Sequence, residues 1–302
     1  MNPELFPTFP LSRQVTLRDR APIDQLFTRY PTEISERTFG SIYAWRDYEK
    51  RADISIMDGH LIISWFKPRF GRVLLPPVGP EPVRILGALA VNAAKDGHAF
   101  NGVFGLLEPE ISSLESKEVS CESLRDEWDY VYLTNDLVEL EGPKYHTQRK
   151  ELKKATSQLD LVFEPMTMNH QQACLELEET WCDLKNCTFD KYSHAEDAAL
   201  REAIANLDEL GFFGGVVLAN GKVQALTVGE RLNKKTAVVH FEKANPSIRG
   251  LYQFVNQQFC ERSLKDFEFV NREQDVGEPG LRRAKEGYRP HHFVEKHIML
   301  LR

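Results

Sequence analysis

No stretch of this 302-residue chain approaches the roughly 18 consecutive apolar residues that a membrane-spanning helix requires, so no integral membrane segment is expected. The start, Met1-Asn2-Pro3-Glu4, lacks the basic-then-apolar pattern of a secretory leader, and the expected compartment is the cytoplasm. Cysteines number five, odd and without paired spacing, as in a reducing compartment. Cys182 and Cys187 lie near one another, but no second pair completes a zinc site, and they read as helix-packing thiols. Four histidines, His240, His291, His292 and His297, do not have the spacing of a metal set. His240 reads as a plain strand histidine, and the His291-His292 pair as the start of the final strand. Neither a metal nor a tightly bound cofactor is expected. There is no Gly-x-Ser-x-Gly elbow, phosphate loop or catalytic-cysteine context, which leaves covalent catalysis without support. Positive charge is not in excess either. The net charge of −7 argues against general coating of nucleic acid.

What is present is an ordinary soluble composition, 42% hydrophobic and 27% charged, at a length that fits one large domain or two of average size. Two local features depart from the average. From Lys144 to Lys154 the sequence is KYHTQRKELKK, where Lys144, Arg149, Lys150, Lys153 and Lys154 stand against Glu151 alone. Such a segment is either a solvated helix face or a contact for phosphates, as in a tRNA or a nucleotide cofactor. The second feature is the run from Phe269 to Pro290. A short apolar stretch, Phe267 to Val270, ends in Asn271, Arg272, Glu273, Gln274 and Asp275, followed by Gly277, Pro279, Gly280 and a basic helical turn. That is a strand delivering ionisable groups to its C-terminal end, where open α/β sheets collect ligands.

The hydropathy pattern of the second half predicts strand Leu159 to Pro165 and helices near His170 to Leu184 and His194 to Leu210. Strands Phe212 to Leu218 and Val223 to Glu230 flank Asn220-Gly221, a hairpin signal. Strand Thr236 to Phe241 follows, and then a helix opening at Asn245-Pro246. Strand Phe267 to Val270, helix Pro279 to Glu286 and strand Phe293 to Leu300 complete the chain. The first half gives much the same order, with Asp58-Gly59 as its hairpin signal and Tyr130 to Leu133 as its closing strand. Two halves with one element order suggest duplication. The expected division is an N-terminal domain 1–140, a basic inter-domain helix 141–158 and a C-terminal domain 159–302.

That element order resembles the GNAT acetyltransferase fold, which implies an α/β (α+β) protein of two tandem GNAT-like domains. Their sheets would be mixed, largely antiparallel, and flanked by helices. Asp129-Tyr130-Val131-Tyr132-Leu133 and the passage from Leu140 to Lys150 resemble the C-terminal domain of phosphatidylglycerol lysyltransferase, a relative of the Fem-type aminoacyl transferases. Glu242-Lys243-Ala244-Asn245 with Arg249-Gly250, and the run from Asn271 to Pro290, are similar to stand-alone bacterial proteins of that superfamily. The resemblance implies acyl or aminoacyl transfer to an amine or hydroxyl acceptor, with aminoacyl-tRNA or acyl-CoA as donor. There are departures. The lipid synthases carry a membrane portion that this chain lacks. The acetyltransferase pyrophosphate loop has two glycines, whereas Asn245 to Tyr252 keeps one.

Such a transfer must hold the donor, take a proton from the acceptor and stabilise an oxyanion. The candidate catalytic residues are Glu242, Glu273, Asp275 and Tyr288. Candidate substrate-binding residues are Asn245, Arg249, Gly250, Asn271, Arg272, Arg282 and Lys285. Lys144, Arg149, Lys150, Lys153 and Lys154 are the candidates for tRNA or other phosphates. The carboxylates equally suit a structural ion network with Lys243, Arg272, Arg282 and Lys285. Expected partners are a tRNA and a small-molecule or peptide acceptor. A different class of function, a non-catalytic binder that keeps the fold to sense a metabolite or an RNA end, fits the incomplete pyrophosphate loop.

Overall fold

A computed structural model describes residues 5–48, 52–96, 100–114, 120–185 and 191–300. Cys187 and its expected packing lie outside them. The chain divides into two compact units, Met1–Asp129 with Val294–Arg302, and Tyr130–Phe293.

The first unit carries β1 (Arg13–Gln14), α1 (Arg20–Arg29), α2 (Phe39–Ala44), β2 (Asp53–Met57), β3 (His60–Lys67), β4 (Gly71–Leu74), α3 (Pro82–Asp96), β5 (Gly102–Leu106), α4 (Glu108–Ser112) and β6 (Ser120–Ser123). The hairpin between β2 and β3 turns on Asp58 and Gly59, both with positive φ, as a type I′ turn demands. Ile62, Leu74, Leu86, Leu89, Val103 and Leu106 pack into one core, fed by the apolar face of α3. A second, ionic centre lies within this unit. The ammonium of Lys296, fully buried, is 2.6 Å from carboxylate oxygens of both Asp129 and Glu36. Lys67 bridges Glu36 (3.2 Å) and Glu127 (2.7 Å) above the ring of Phe104.

The second unit runs through β7 (Asp129–Leu133), α5 (Thr134–Glu139), α6 (His146–Gln158), β8 (Leu161–Pro165), α7 (Gln171–Lys185), α8 (Lys191–Ala205), α9 (Leu207–Leu210), β9 (Phe213–Ala219), β10 (Lys222–Arg231), β11 (Thr236–Ala244), α10 (Leu251–Ser263), β12 (Phe269–Asn271), α11 (Pro279–Gly287) and β13 (His292–Val294). Its sheet order is β13-β7-β12-β11-β10-β9-β8, with β11 and β12 parallel and the pairs β7–β12, β10–β11, β9–β10 and β8–β9 antiparallel. Leu251, Phe254, Val255 and Phe259 of α10 pack onto Ala237, Val239, Val217 and Ala225 of the sheet. The Asn220-Gly221 turn again has both residues at positive φ.

The last strand, β14 (His297–Leu300), belongs to the first unit. That sheet is ordered β1-β2-β3-β4-β5-β14-β6, with β4 and β5 the parallel pair. The division therefore differs from the expected boundaries at 140 and 159. The strand expected over Phe293 to Leu300 splits into β13 and β14, which pair in different sheets. Likewise β7, the expected closing strand of the first half, pairs in the second sheet. Each half keeps the shared element order, but its final strand completes the other sheet. A strand's own residues do not specify its partner when the pairing spans more than 100 residues. The basic helix α6 also belongs to the second unit rather than lying between domains.

Gly250 illustrates how α6 is held. Its φ is +86°, and a Cβ there would stand 2.1 Å from the Glu151 carbonyl oxygen and 3.2 Å from the Ala155 Cβ. Replacement by alanine combines a left-handed backbone with a collision against α6. The expected loss for Gly250→Ala is on the order of 2–3 kcal/mol in denaturant titrations. Wild-type stability in this variant would show that α6 docks less closely.

Candidate functional site

The second sheet opens where β11 and β12 part. These parallel strands pair over only three positions, Thr236 with Phe269, Ala237 with Val270 and Val238 with Asn271. Beyond them β11 runs on to Ala244, while the chain after Asn271 follows β7 instead: the Arg272 amide donates to Tyr130 O and the Tyr130 amide to Glu273 O. A bulge sharpens the departure, because Val228 pairs with Phe241 and Gly229 with Val239, leaving His240 without an opposite residue. The inward parity of β11 therefore changes at His240. Ala237 and Val239 face α10 before the bulge, and Glu242 and Ala244 take that face after it. Bulges commonly re-aim side chains in this way beside sites.

Two ionic groupings lie at this parting, Arg272 with Glu242 and His240 with Glu230 and Glu273. Arg272 donates from Nη2 to Glu242 (2.9 Å), and its guanidinium lies 5.0 Å from the Tyr288 ring centre and 5.9 Å from that of Tyr132. Its Nη1 is buried without a hydrogen-bond partner, as is Oδ1 of Asn256, whose Nδ2 approaches Glu242 at 3.4 Å. Burial works against the charge of Arg272, but Glu242 outweighs it and raises its pKa further. At the bulge, His240 is clamped between two carboxylates, Nε2 at 2.8 Å from Glu230 and Nδ1 at 2.7 Å from Glu273. Burial pushes the imidazole down, yet the two carboxylates prevail and lift it to about 10. His240 is thus a cation at neutral pH, paired with Glu230 and with Glu273, itself one-quarter exposed.

The loop carrying Glu273 is unusual. Glu273 and Val276 have φ of 55° and 48°, left-handed conformations that cost a non-glycine residue about 1–2 kcal/mol each. Neighbouring groups hold it there. Asn271 Oδ1 accepts from the Glu273 amide, and the Lys285 ammonium donates to the carbonyls of Arg272 (2.6 Å), Glu273 (3.2 Å) and Gln274. Asp275 accepts from Tyr130 (2.6 Å), the Gly277 amide and both arms of Arg282. Burial alone would raise the Asp275 carboxyl, but these donors hold it down at about 2.

These positions sort the candidates. Glu242 pairs with Arg272, whereas Glu273 pairs with His240. Asp275, Asn271, Arg282 and Lys285 adjoin these pairs, but their polar groups are engaged in building the loop. A carboxylate held near 2 is a poor base, so Asp275 is removed from that role. Tyr288 is buried and packed edge-on against Tyr132, and burial pushes its hydroxyl well above the usual range despite Arg272. It acts as a packing anchor. The Asn245 segment also departs from expectation. Asn245 caps a turn through Ser247, and α10 begins only after Gly250. Arg249 pairs with Glu151, and the glycine that was to admit a ligand admits α6. In the basic stretch, Lys144 pairs with Asp136, Arg149 caps the carbonyls of Leu140 and Gly142, and Lys154 contacts Glu151. Lys150 and Lys153 are exposed without a partner among the described residues.

Two residues escaped the sequence reading. One is His240, whose role depends on a bulge and on Glu230 from the adjacent strand. The other is Glu178 of α7, which is buried, with Oε1 3.6 Å from Lys243 and Oε2 unpartnered, and is pushed up to about 7 by burial. Lys243 is itself 2.7 Å from Glu196 and 3.6 Å from the centre of the Trp181 ring. A separate hollow of about 390 Å³, lined by Leu133, Asn135 and Lys265 to Glu268, lies at the opposite end of β12.

Parting parallel strands in each of two like-ordered halves define the tandem GNAT-type fold. An acetyltransferase of the GNAT family from Colwellia psychrerythraea superposes with a TM-score of 0.54 at 10% identity, over 97% of this chain and 100% of that one. The chain belongs to the phosphatidylglycerol lysyltransferase C-terminal family, whose sequence profile matches residues 27–300. A conserved protein of unknown function from Bacteroides thetaiotaomicron VPI-5482 is 30% identical, with a TM-score of 0.88 over 96% of this chain and 99% of that one. L-PGS from Bacillus licheniformis is 10% identical, with a TM-score of 0.62 over 92% and 90%. No curated protein matches the chain. The relationships place the chain in an acyl- and aminoacyl-transferase family. Among the described residues no helix is long and apolar enough to cross a membrane.

Proposed function

We propose that this protein transfers an acyl or aminoacyl group to an amine or hydroxyl acceptor in the wedge between β11 and β12, with aminoacyl-tRNA as donor. The observation that carries this reading is the buried, unengaged Nη1 of Arg272, with the Glu230–His240–Glu273 chain joined through the next residue of the same strand exit. A fixed cation with a free donor suits the oxygen of an ester carbonyl, on which negative charge develops in the transition state. Glu273 suits the acceptor. The acceptor nitrogen or oxygen bonds to the carbonyl carbon and passes its proton to Glu273. The ester C–O bond then breaks, and the departing ribose oxygen takes that proton. His240 stays charged throughout and holds the Glu273 side chain in place between turnovers.

Acyl-CoA fits less well, because the turn that would hold its pyrophosphate is closed by the Gly250–α6 contact and the Arg249–Glu151 pair. Lys150 and Lys153, exposed and unpaired among the described residues, suit tRNA phosphates. The test is retention of charged tRNA by the purified protein across a salt series, followed by release of the aminoacyl group to an amine. Reversing both lysines, K150E/K153E, is expected to weaken retention about tenfold at low salt and to flatten the salt dependence. Retention of acyl-CoA with none of charged tRNA would overturn the donor assignment. Retention of charged tRNA without turnover would make the protein a binder.

A further inference from the structure

We infer that Lys285 is the positioning residue of this site: its ammonium, by gathering three successive backbone carbonyls, fixes Glu273 in the left-handed conformation that brings its carboxylate to His240. The inference rests on the reading of Glu273 as proton acceptor, but its geometry stands on its own. Carbonyl oxygens of Arg272, Glu273 and Gln274 converge on one buried point, and dipoles so aligned repel unless a cation lies between them. The three N–H groups of Lys285 match the three oxygens. The lysine comes from α11, whose other contacts anchor the same loop: Arg282 holds Asp275, and Tyr132 donates to the Lys285 carbonyl. Asn271 closes the loop's first turn through the Glu273 amide. With the cation removed, the carbonyls separate and Glu273 relaxes toward an ordinary backbone conformation, which swings its side chain off the imidazole. Glu230 then remains as the carboxylate partner of His240, and the rings of Phe212 and Phe241 are its other neighbours.

The experiment follows the His240 imidazole by NMR titration in the full chain and needs no substrate, so the clamp is judged apart from transfer activity. Glu273→Gln sets the scale by removing one carboxylate, and a fall of about one pH unit or more is expected. Lys285→Met is expected to reproduce most of that fall, and Lys285→Gln, a shorter side chain with two N–H donors and no charge, an intermediate part. Lys285→Arg, which keeps charge and donors, is expected to restore a midpoint close to that of the unaltered protein. A residue that only supports the fold would leave the imidazole midpoint in place. Equal midpoints across the folded lysine variants, or an Arg variant that falls as far as Gln, would overturn the proposal. Should the Met variant not fold, the order of Gln and Arg decides. Loss of transfer in E273Q with an unmoved midpoint in K285Q would reject the clamp and keep the base.

Discussion

Lys296→Met is expected to destabilise the first unit by roughly 3–5 kcal/mol, the loss found when one partner of a buried ion pair is removed. Its melting temperature should fall on the order of 10 °C. Lys296 is fully buried, and its ammonium is the common partner of Asp129, Glu36 and the Ser35 hydroxyl (3.2 Å). Burial depresses the lysine's affinity for its proton, but the two carboxylates outweigh it and raise the pKa above the ordinary range. Burial likewise pushes Glu36 up, yet Lys296 and Lys67 hold it below the carboxylate range, whereas for Asp129 burial prevails and the pKa is raised. The signs follow. The lysine's contribution is complete below its unfolded pKa of about 10.4 and is lost as pH rises through the folded value. The Glu36 contribution is complete above about 4.3 and is lost as pH falls through its depressed folded value.

Without the ammonium, Asp129 keeps its burial and loses its main cation. The K296M variant should therefore gain stability on acidification from neutral pH toward about 5, where protonation neutralises the carboxylate. D129N/K296M should recover part of the loss at neutral pH, since it removes the uncompensated charge. The readout is denaturation followed by tryptophan emission, because Trp45, Trp65 and Trp128 all lie in the first unit. A K296M variant as stable as the parent would mean that water already reaches these carboxylates.

Both ionic centres test how far sequence carries. Helices and hairpins were legible because they depend on neighbours. The type I′ turns at Asp58-Gly59 and Asn220-Gly221 follow from residues that tolerate positive φ, and helices α7 and α10 from apolar periodicity. The polar exit after β12 was legible as a candidate site because Asn, Arg, Glu, Gln and Asp in succession suit a strand end better than a core. What escaped depends on contacts distant in sequence. Lys296 reads as one more charge in a C-terminal strand until β14 is placed between β5 and β6, which brings it to Glu36 and Asp129. His240 reads as an ordinary strand histidine until the bulge turns it between Glu230 and Glu273. Gly250 was legible as a close approach of backbone, but what approaches is a helix of the same chain. Asp275 was legible as buried chemistry, and its donors convert it from a base into an anchor.

His240→Gln is expected to destabilise the second unit by roughly 3–5 kcal/mol at neutral pH and to slow transfer by 100-fold or more. Glutamine fills similar space but carries no charge, so Glu230, nearly buried, and Glu273 lose the cation between them. Because the folded imidazole titrates at about 10, its stabilisation is complete below the unfolded value of about 6.5. Between the two values the unfolded chain releases its proton while the folded chain retains it, and stability falls by about 1.4 kcal/mol per pH unit. Above about 10 the contribution is gone. The parent protein should therefore become less stable from pH 7 to pH 10, with the decline centred on the second unit, and H240Q should lack that slope. Hydrogen exchange of peptides from β10, β11 and β12 across this range separates the two. A parallel decline in both proteins would place the titrating group elsewhere. A flat parent would mean that His240 is neutral, which would shift the role of proton acceptor from Glu273 to the imidazole itself.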